Sequence, residues 1–438
     1  MTTPLPPEQP HPSTPELSKL KAYLVNAVSS ELNQAQVLPS ERETAVKQSL
    51  VKAYSRTNLN LPDSVRLQLF HDIIDDLLGY GPIQYLLDNP EITEVMVNGP
   101  KNVYVEIKGE LILTNVTFDN DEHVMRIIEK IVAPLGRRVD SSSPMVDARL
   151  PDGSRVNAVI RPTAIDGPSI TIRKFSKERF TIDRLVELET VTSQVADFLR
   201  ACVLSRLNIV VSGGTGSGKT TLLNVLSGYI PETERIVTIE DTAELRMSQR
   251  HVVRLESRLP DTEGRDEVSI RQLVRNALRM RPDRIIVGEC RGAEALDMLQ
   301  AMNTGHDGSM TTLHANKPRD ACSRLETMVL MAGMDLPLKV IRQQIASAID
   351  LIVHESRLRG GQRKITSVTE VAGMEGDIIV MTDIFKYEQT GVSPEGKALG
   401  VLKPTGIRPM FDTRIEAAGI KLDANVYQVQ RKPTVPRA

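Results

Sequence analysis

The sequence has few aromatic side chains and almost no net charge. Its 438 residues contain no Trp, aromatic residues make up 3% of the chain, and 54 Lys and Arg stand against 56 Asp and Glu, a net charge of -2. Few rings are therefore available on which unpaired bases could stack, and no overall positive charge attracts a polyanion. These shortages predict that the protein has no nucleic-acid partner.

Cysteine is also scarce, and long apolar runs are missing. Cys202, Cys290 and Cys322 are widely spaced, form no CxxC pair and have no His at metal-ligand spacing, which favours a reducing compartment over a disulfide framework. The chain has no stretch that approaches the ~20 apolar residues needed to span a bilayer, and its N-terminus has no apolar signal core. We therefore expect a cytoplasmic protein that does not insert directly into a membrane.

The rest of the composition is that of a globular protein of two or three domains, with 40% hydrophobic and 25% charged residues. Six Pro in the first fifteen residues remove backbone donors and predict a disordered tail. Residue periodicity predicts the following segments: the tail over 1–15, a helical region over 16–78, an α+β domain over 79–175, a linker and hinge over 176–190, an α/β domain with a C-terminal β meander over 191–430, and a loose tail over 431–438.

Strands and helices alternate in the α/β segment. Apolar strands are predicted at 208–212, 236–239, 285–287 and 309–313, and helical patterns separate them. This alternation is typical of a parallel sheet covered by helices. The carboxyl ends of parallel strands meet at one edge of such a sheet, so the residues that follow the strands are the candidates for a site.

The most specific motif follows the first of these strands. Gly213-Gly-Thr-Gly-Ser-Gly-Lys-Thr220 matches GxxxxGK[ST] and opens a helical pattern, which is the context that a phosphate-binding P-loop requires. The glycines let backbone N–H groups surround a phosphate, Lys219 reaches the β- and γ-phosphates, and the Thr220 hydroxyl ligates Mg²⁺. The motif predicts a nucleotide site made of Gly213, Gly214, Thr215, Gly216, Ser217, Gly218, Lys219, Thr220 and Thr221.

Three later strands end in side chains that nucleotide hydrolysis needs. Glu289 follows the strand at 285–287 and is predicted to be the Walker-B acid, a metal ligand together with Thr220. Glu240 ends the strand at 236–239 and is a candidate water-orienting base, with helix capping as the alternative for the acidic cluster around it. His314 ends the fourth strand and is a candidate γ-phosphate sensor, although a lone His is more often structural.

The chain resembles the type II/type IV secretion and pilus-assembly ATPases in three motifs taken in order. They are the P-loop, the Glu240-Asp241 strand end and the run RPDRIIVGECRGAEALDMLQAMNTGHDGSMTTLHAN. The resemblance covers about residues 60 to 430 and is nearest to the CpaF/TadA branch, which powers tight-adherence (Flp) pilus machines. In that family the strand ending at Glu240 is the Asp box, Glu289 the Walker-B acid and His314 the His box. The resemblance implies an α/β fold: a RecA-like ATPase domain preceded by a smaller α+β, PAS-like domain and an N-terminal helical region.

The resemblance also implies partners and further residues. Family members bind ATP and Mg²⁺ between their N- and C-terminal domains, form homohexamers and dock on inner-membrane platform proteins, so we expect peripheral association with that membrane. Related motors place N-domain arginines over the triphosphate, which makes Arg149, Arg155 and Arg173 candidates for stabilising charge on the γ-phosphate. From the sequence alone, these three arginines are interpreted as ordinary residues of a β-hairpin.

The sequence therefore predicts a hexameric, Mg²⁺-dependent ATPase that powers assembly, or assembly and retraction, of a Tad/Flp pilus. A VirB-type conjugation or effector-secretion ATPase is the main alternative. Extension motors of type II secretion and type IVa pili usually carry a paired-CxxC zinc element, which three scattered cysteines cannot build, so the cysteines favour the Flp branch or the VirB-type branch. A RecA-like DNA motor and a non-hydrolysing scaffold are remoter alternatives. Few aromatic residues argue against the DNA motor, and the presence of both Glu240 and Glu289 argues against the scaffold.

Overall fold

The computed structural model describes residues 15–35, 41–107, 109–175, 180–258, 260, 265–394 and 396–429. Residues 1–14 of the tail predicted over 1–15, the predicted tail over 431–438 and the first part of the predicted linker at 176–179 lie outside the described residues, and Pro15 begins a helix. The chain divides into two compact units between residues 177 and 178. Within the described ranges, no helix combines the length and the apolar character that crossing a bilayer requires.

The N-terminal unit begins with three helices that share a small core. Leu24, Val28, Leu50 and Ile73 are fully buried there, because apolar residues recur at helical spacing on the facing sides of these helices. The helices are α1 (Pro15–Ala35), α2 (Arg42–Ser55) and α3 (Asp63–Leu77).

An antiparallel sheet forms the rest of the N-terminal unit. The described residues give the strand order β3-β2-β1-β6-β5-β4. The elements are α4 (Gln84–Asp88), β1 (Ile92–Asn98), β2 (Asn102–Ile107), β3 (Glu110–Leu113), α5 (Asp121–Val132), β4 (Met145–Arg149), β5 (Arg155–Val159) and β6 (Ser169–Arg173). Asn120 caps α5 by accepting the His123 N–H at 2.8 Å, and Ile127 and Ile131 of α5 lie in the same core as Val95 and Val97 of β1.

The C-terminal unit alternates strands and helices as predicted, and then continues as a meander. Its elements are α6 (Ile182–Glu187), α7 (Ser193–Leu204), β7 (Ile209–Gly213), α8 (Lys219–Ser227), β8 (Ile236–Glu240), β9 (Val252–Glu256), α9 (Ile270–Ala277), β10 (Arg284–Val287), α10 (Glu294–Asn303), β11 (Met310–His314), α11 (Pro318–Met331), α12 (Leu338–Ala348), β12 (Leu351–Arg357), β13 (Arg363–Glu375), β14 (Ile378–Val392), β15 (Ala398–Pro404) and α13 (Asp412–Ala417).

These strands form one sheet with the order β15-β14-β13-β12-β7-β11-β10-β8-β9 in the described part of the chain. Pairing is parallel from β12 to β9 and antiparallel from β12 to β15. Ile209 and Val211 of β7 face a core that contains α7 and α8, whereas Val210 faces a second core that contains α9 to α12. Helices therefore cover both faces of the parallel strands, which confirms the predicted α/β, RecA-like class.

Two features of this unit differ from the sequence analysis or go beyond it. The described part of the predicted linker contains a helix that the sequence analysis did not identify: Ile182–Glu187 forms helix α6, whose Leu185 lies in the same buried core as residues of α7. Arg284, at the start of β10, is fully buried. Its guanidinium donates to Glu234 Oε2 at 2.6 Å and to the Val203 carbonyl at 2.9 Å, so the burial of its charge is compensated.

Candidate functional site

The P-loop connects β7 to α8 in the way that its sequence predicts. β7 ends at Gly213 and α8 begins at Lys219. Gly216 and Gly218 adopt φ angles of 68° and 111°, the left-handed region that side chains disfavour, so the loop reverses direction directly before the helix. The Lys219 side chain is 7% exposed, and its Nζ donates to the Gly214 carbonyl at 2.9 Å. The Lys219 side chain is therefore hydrogen-bonded to the backbone of the P-loop itself.

Glu289 and His314 lie together at the neighbouring strand ends, because β10 and β11 pair in parallel. His314 Nε2 is 2.9 Å from Glu289 Oε1, and Arg291 donates to Glu289 Oε2 at 2.7 Å. Burial, followed by the positive charge of Lys219, lowers the pKa of His314. The imidazole is therefore neutral at pH 7 beside a carboxylate that an arginine holds in place.

Glu240 ends β8 and is almost completely buried, at 3% exposure. Its Oε2 accepts the backbone N–H groups of Glu244 and Leu245 at 2.8 and 3.0 Å, so one oxygen does cap the following loop. The other oxygen, Oε1, has no hydrogen-bond partner among the described residues. Burial raises the pKa of Glu240 to about 7. A Cβ atom on Gly288 would lie 2.8 Å from Glu240 Cγ, so the Glu240 side chain packs against the residue that precedes Glu289.

The three predicted arginines of the N-terminal unit form one row. Arg149 pairs with Arg155 across β4 and β5, and Arg155 pairs with Arg173 across β5 and β6, so all three side chains leave the same face of the sheet. Arg149 Nε donates to the Gly153 carbonyl at 3.2 Å, and Arg173 Nε is 3.5 Å from Glu94 Oε1. The row concentrates positive charge at one place on this unit.

Comparison with protein families matches residues 76–372 to the family described as Type II/IV secretion system protein. A Mycobacterium tuberculosis protein described as a candidate conjugal transfer protein is 36% identical over 330 residues, which are 74% of this chain and 93% of that protein. The conjugal transfer protein TrbB of Rhizobium radiobacter is 34% identical over 306 residues, which are 69% of this chain and 90% of that protein. The chain belongs to the Type II/IV secretion system protein family.

One solved structure in this comparison is that of the VirB11 ATPase from the Brucella suis type IV secretion system in complex with sulphate. It is 32% identical to this chain, covers 66% of this chain and 94% of its own, and has a TM-score of 0.37.

The donor set of this secretion-system protein fits Mg²⁺. Thr220, half-buried in the first turn of α8, offers a hydroxyl oxygen, and Glu289 offers a carboxylate, the oxygen ligands that Mg²⁺ prefers. Among the described residues, no group of three or more His, Cys, Asp and Glu side chains could hold a metal alone. Mg²⁺ commonly takes one or two protein ligands and completes its shell with water and substrate phosphates, so the two oxygens suit a metal that arrives with a nucleotide.

Sequence reasoning missed residues on β12, which pairs with the P-loop strand β7 on the side opposite β11, and on β13, which pairs with β12. His354 Nδ1 is 2.9 Å from the Ser212 hydroxyl, and Arg363 donates to the Gly216 carbonyl at 3.0 Å. Glu355 is 3% exposed and lies beside the loop. A signal was present, because the strand Leu351-Ile-Val-His-Glu-Ser-Arg357 also ends in polar residues after an apolar run.

Proposed function

We propose that this secretion-system protein is a Mg²⁺-dependent ATPase that forms a homohexamer and powers a Tad/Flp pilus through inner-membrane platform proteins. The observation that carries the proposal is that the P-loop, Glu240, Glu289 and His314 end strands that are neighbours in one parallel sheet. Phosphoryl transfer to water requires such a set: a phosphate cradle, a metal ligand and a group that orients water. The motor would work in the cytoplasm, held at the membrane by its partners.

Each side chain at this edge has a proposed task. Lys219, which donates to the Gly214 carbonyl, would turn to the β- and γ-phosphates. Glu240 would orient the attacking water and accept its proton, since a pKa of about 7 suits a general base at neutral pH. Thr220 and Glu289 would hold Mg²⁺, which when bound neutralises phosphate charge. His314, in contact with Glu289, would respond to the presence of the γ-phosphate.

We extend the proposal to the arginine row, as the family resemblance implies. Three planar guanidinium groups on one sheet face could stabilise charge on the terminal phosphate. Arg173→Ala should then lower turnover about tenfold or more, while the matched control Arg161→Ala, an exposed arginine of the same unit, should not. Equal turnover in both variants would remove Arg173 from the mechanism.

The first experiment measures steady-state Mg²⁺-ATP hydrolysis by the purified full chain. Lys219→Ala should abolish turnover, because the lysine is the P-loop's contact to the transferred phosphate. Lys386→Ala is the matched control, since that lysine is exposed on β14 in the same unit. Hydrolysis that survives Lys219→Ala would overturn the proposal, and strong stimulation by single-stranded DNA would favour a DNA motor instead.

A second candidate function is a conjugation or effector-secretion ATPase. The names of the relatives favour it, since TrbB is a conjugal transfer protein and PtlH of Bordetella pertussis, a type IV secretion system protein, is 35% identical over 310 residues. The two candidates share their chemistry and differ in their partner. In the organism that makes this chain, Lys219→Ala should abolish Flp pili on the cell surface. Normal pili with a loss of plasmid or effector transfer would favour the second candidate.

A further inference from the structure

Glu355 lies beside the first residue of the P-loop. Strand β12 pairs in parallel with β7, so that His354 is opposite Ser212 and Glu355 is opposite Gly213. The Glu355 side chain is 3% exposed, and nothing in the nucleotide chemistry described above uses it. A carboxyl group of this kind, buried next to a phosphate-binding loop, requires an explanation, because an uncompensated buried charge is costly.

The contacts place the Glu355 carboxyl directly against the loop. A side-chain carbon on Gly218 would begin 2.7 Å from Glu355 Oε1 and 3.0 Å from Oε2, and a side-chain carbon on Gly213 would overlap the Glu355 carbonyl oxygen. The missing side chain at Gly218 therefore leaves room for the Glu355 carboxyl, and the missing side chain at Gly213 leaves room for the Glu355 backbone. Gly218 immediately precedes Lys219, so the carboxyl supports the residue that positions the lysine.

The surroundings of Glu355 do not satisfy a negative charge. Its Oε2 is buried and has no hydrogen-bond partner among the described residues. The cations that face it are Lys219 on α8 and Arg363 on β13, and each donates to a P-loop carbonyl, Gly214 and Gly216 respectively. Burial raises the pKa of Glu355 to about 8, because these two charges offset only part of the cost of burying a carboxylate.

The neighbouring histidine adds no positive charge. Burial lowers the pKa of His354, whose Nδ1 is 2.9 Å from the Ser212 hydroxyl. Glu355 is consequently a neutral carboxylic acid at pH 7, packed against a loop that is expected to receive a highly charged anion.

We propose that Glu355 is a positioning residue for the P-loop, and that the loop accepts a nucleotide polyphosphate while the Glu355 carboxyl is uncharged. This inference rests on the proposed function, since it concerns the same nucleotide site. An ionised Glu355 would attract Lys219 away from the phosphates and would repel the phosphates themselves. A neutral Glu355 fills the same space without either effect.

The proposal makes nucleotide binding and proton binding mutually dependent. Because a bound polyphosphate favours the neutral carboxyl, the affinity for nucleotide falls as the pH rises through the range in which Glu355 ionises. By thermodynamic reciprocity, nucleotide binding in that range takes up a proton from the solvent. Glu355→Gln, which keeps the shape of the neutral acid and cannot ionise, removes both effects.

The test measures the Kd of a fluorescent ADP analogue for the full chain, in EDTA, between pH 7.5 and 9.5. The phosphates of the probe are fully ionised throughout this range. For the wild-type protein we expect the Kd to rise about tenfold, the effect of a one-unit change in pKa on binding. For Glu355→Gln we expect a flat profile, so that the variant binds more tightly than the wild type at pH 9.5. Such a gain in affinity cannot result from misfolding.

Matched variants separate the possible outcomes. Glu370→Gln removes another buried glutamate, on β13, whose Oε1 accepts the Met410 N–H and not a P-loop group, and it should keep the wild-type profile. A Glu355→Gln profile parallel to that of the wild type, or a uniformly weaker one, would overturn the inference and leave the proposed function standing. Wild-type affinity in Lys219→Ala would overturn the proposed function itself.

A measurement on the wild-type protein keeps the inference testable if Glu355→Gln fails to fold. Calorimetric titrations with ADP at pH 8.5 in two buffers of different ionisation enthalpy give the number of protons taken up. Net uptake on binding supports the role of Glu355, and zero uptake or release overturns it.

Discussion

Two regions of this protein bury ionisable side chains, and they treat the buried charge in opposite ways. In the N-terminal unit, His123 is 2% exposed, yet its Nε2 is 3.3 Å from Asp76 Oδ1 and its Nδ1 is 3.1 Å from Asp119 Oδ2. Lys21 Nζ lies 2.8 Å from the other Asp76 oxygen. Burial opposes these charges, but the partners outweigh it: the pKa of His123 is raised and that of Asp76 is lowered.

At the nucleotide site the balance is reversed. Burial raises the pKa of Glu240 to about 7 and that of Glu355 to about 8, and each keeps one carboxylate oxygen without a partner among the described residues. The difference shows that partners, rather than burial alone, decide whether a buried group is charged. The His123 cluster uses paired charges to join α1, α3 and α5, whereas the proposed roles of the acids beside the P-loop are proton transfer and control of nucleotide binding.

The largest expected effect comes from Glu289, the acid at the nucleotide site that contacts both Arg291 and His314. Glu289→Gln removes the charge that Arg291 contacts and that would hold Mg²⁺ in the proposed site, so turnover should fall about 10²–10³-fold while nucleotide binding persists. Single-turnover hydrolysis and binding of the fluorescent ADP analogue measure the two properties separately. Glu388→Gln on β14 serves as the control, and equal hydrolysis in both variants would refute the role of Glu289.

An intermediate effect is expected from breaking the paired cluster. His123→Ala leaves Asp76 and Asp119 without their shared partner and should destabilise the N-terminal unit by about 3 kcal/mol. Hydrogen exchange followed by mass spectrometry should show faster exchange in α3 and α5, with nucleotide binding unchanged. His71→Ala, which removes an exposed histidine paired with Asp75, should change the exchange little. An equal effect of both variants would show that the His123 cluster does not stabilise the N-terminal unit.

The smallest expected effect is a difference in how stability depends on pH. Because the pKa of His123 is raised in the folded protein, its contribution to stability is fully present below pH 6.5. This contribution is lost as the pH rises through the pKa of the folded state. The pKa of Glu355 is also raised in the folded protein, so its contribution to the free energy of unfolding falls as the pH rises from 4.5 towards about 8.

The free energy of unfolding of Glu355→Gln, relative to that of the wild type, should therefore rise by about 1–2 kcal/mol between pH 5 and pH 9. The rise is limited to this size because water and small structural shifts relieve part of the cost of a buried charge. Urea unfolding of both proteins, followed by circular dichroism, tests this. A constant difference between the two proteins across this range would mean that Glu355 is not titrating.

The sequence predicted those parts of the site that depend on local patterns. A glycine-rich motif after an apolar run placed the P-loop, and the ends of apolar runs placed Glu240, Glu289 and His314 at strand ends, where the structure has them. Their catalytic roles stay predictions. The row formed by Arg149, Arg155 and Arg173 depends on strand register, which single residues do not reveal.

The missed features depend on contacts between distant parts of the chain. Glu355 meets the P-loop because β12 pairs with β7 across more than a hundred residues, and no periodicity encodes that pairing. The burial of Arg284 depends on Glu234 and on the Val203 carbonyl, which lie far from it in the chain, so no local pattern predicts it. Helix α13 and strands β9 and β15 have six, five and seven residues, so their patterns were too short to predict them.

Strand β12 pairs with the antiparallel meander on one side and with the P-loop strand β7 on the other. A force applied to the meander along the strand direction would load all the β12–β7 hydrogen bonds at once, in shear, whereas a force across the sheet would load them one after another. The sheet is therefore stiff along its strands and compliant across them. A lengthwise pull on the meander would move Glu355 and the P-loop together, so the nucleotide site is mechanically continuous with the outer strands.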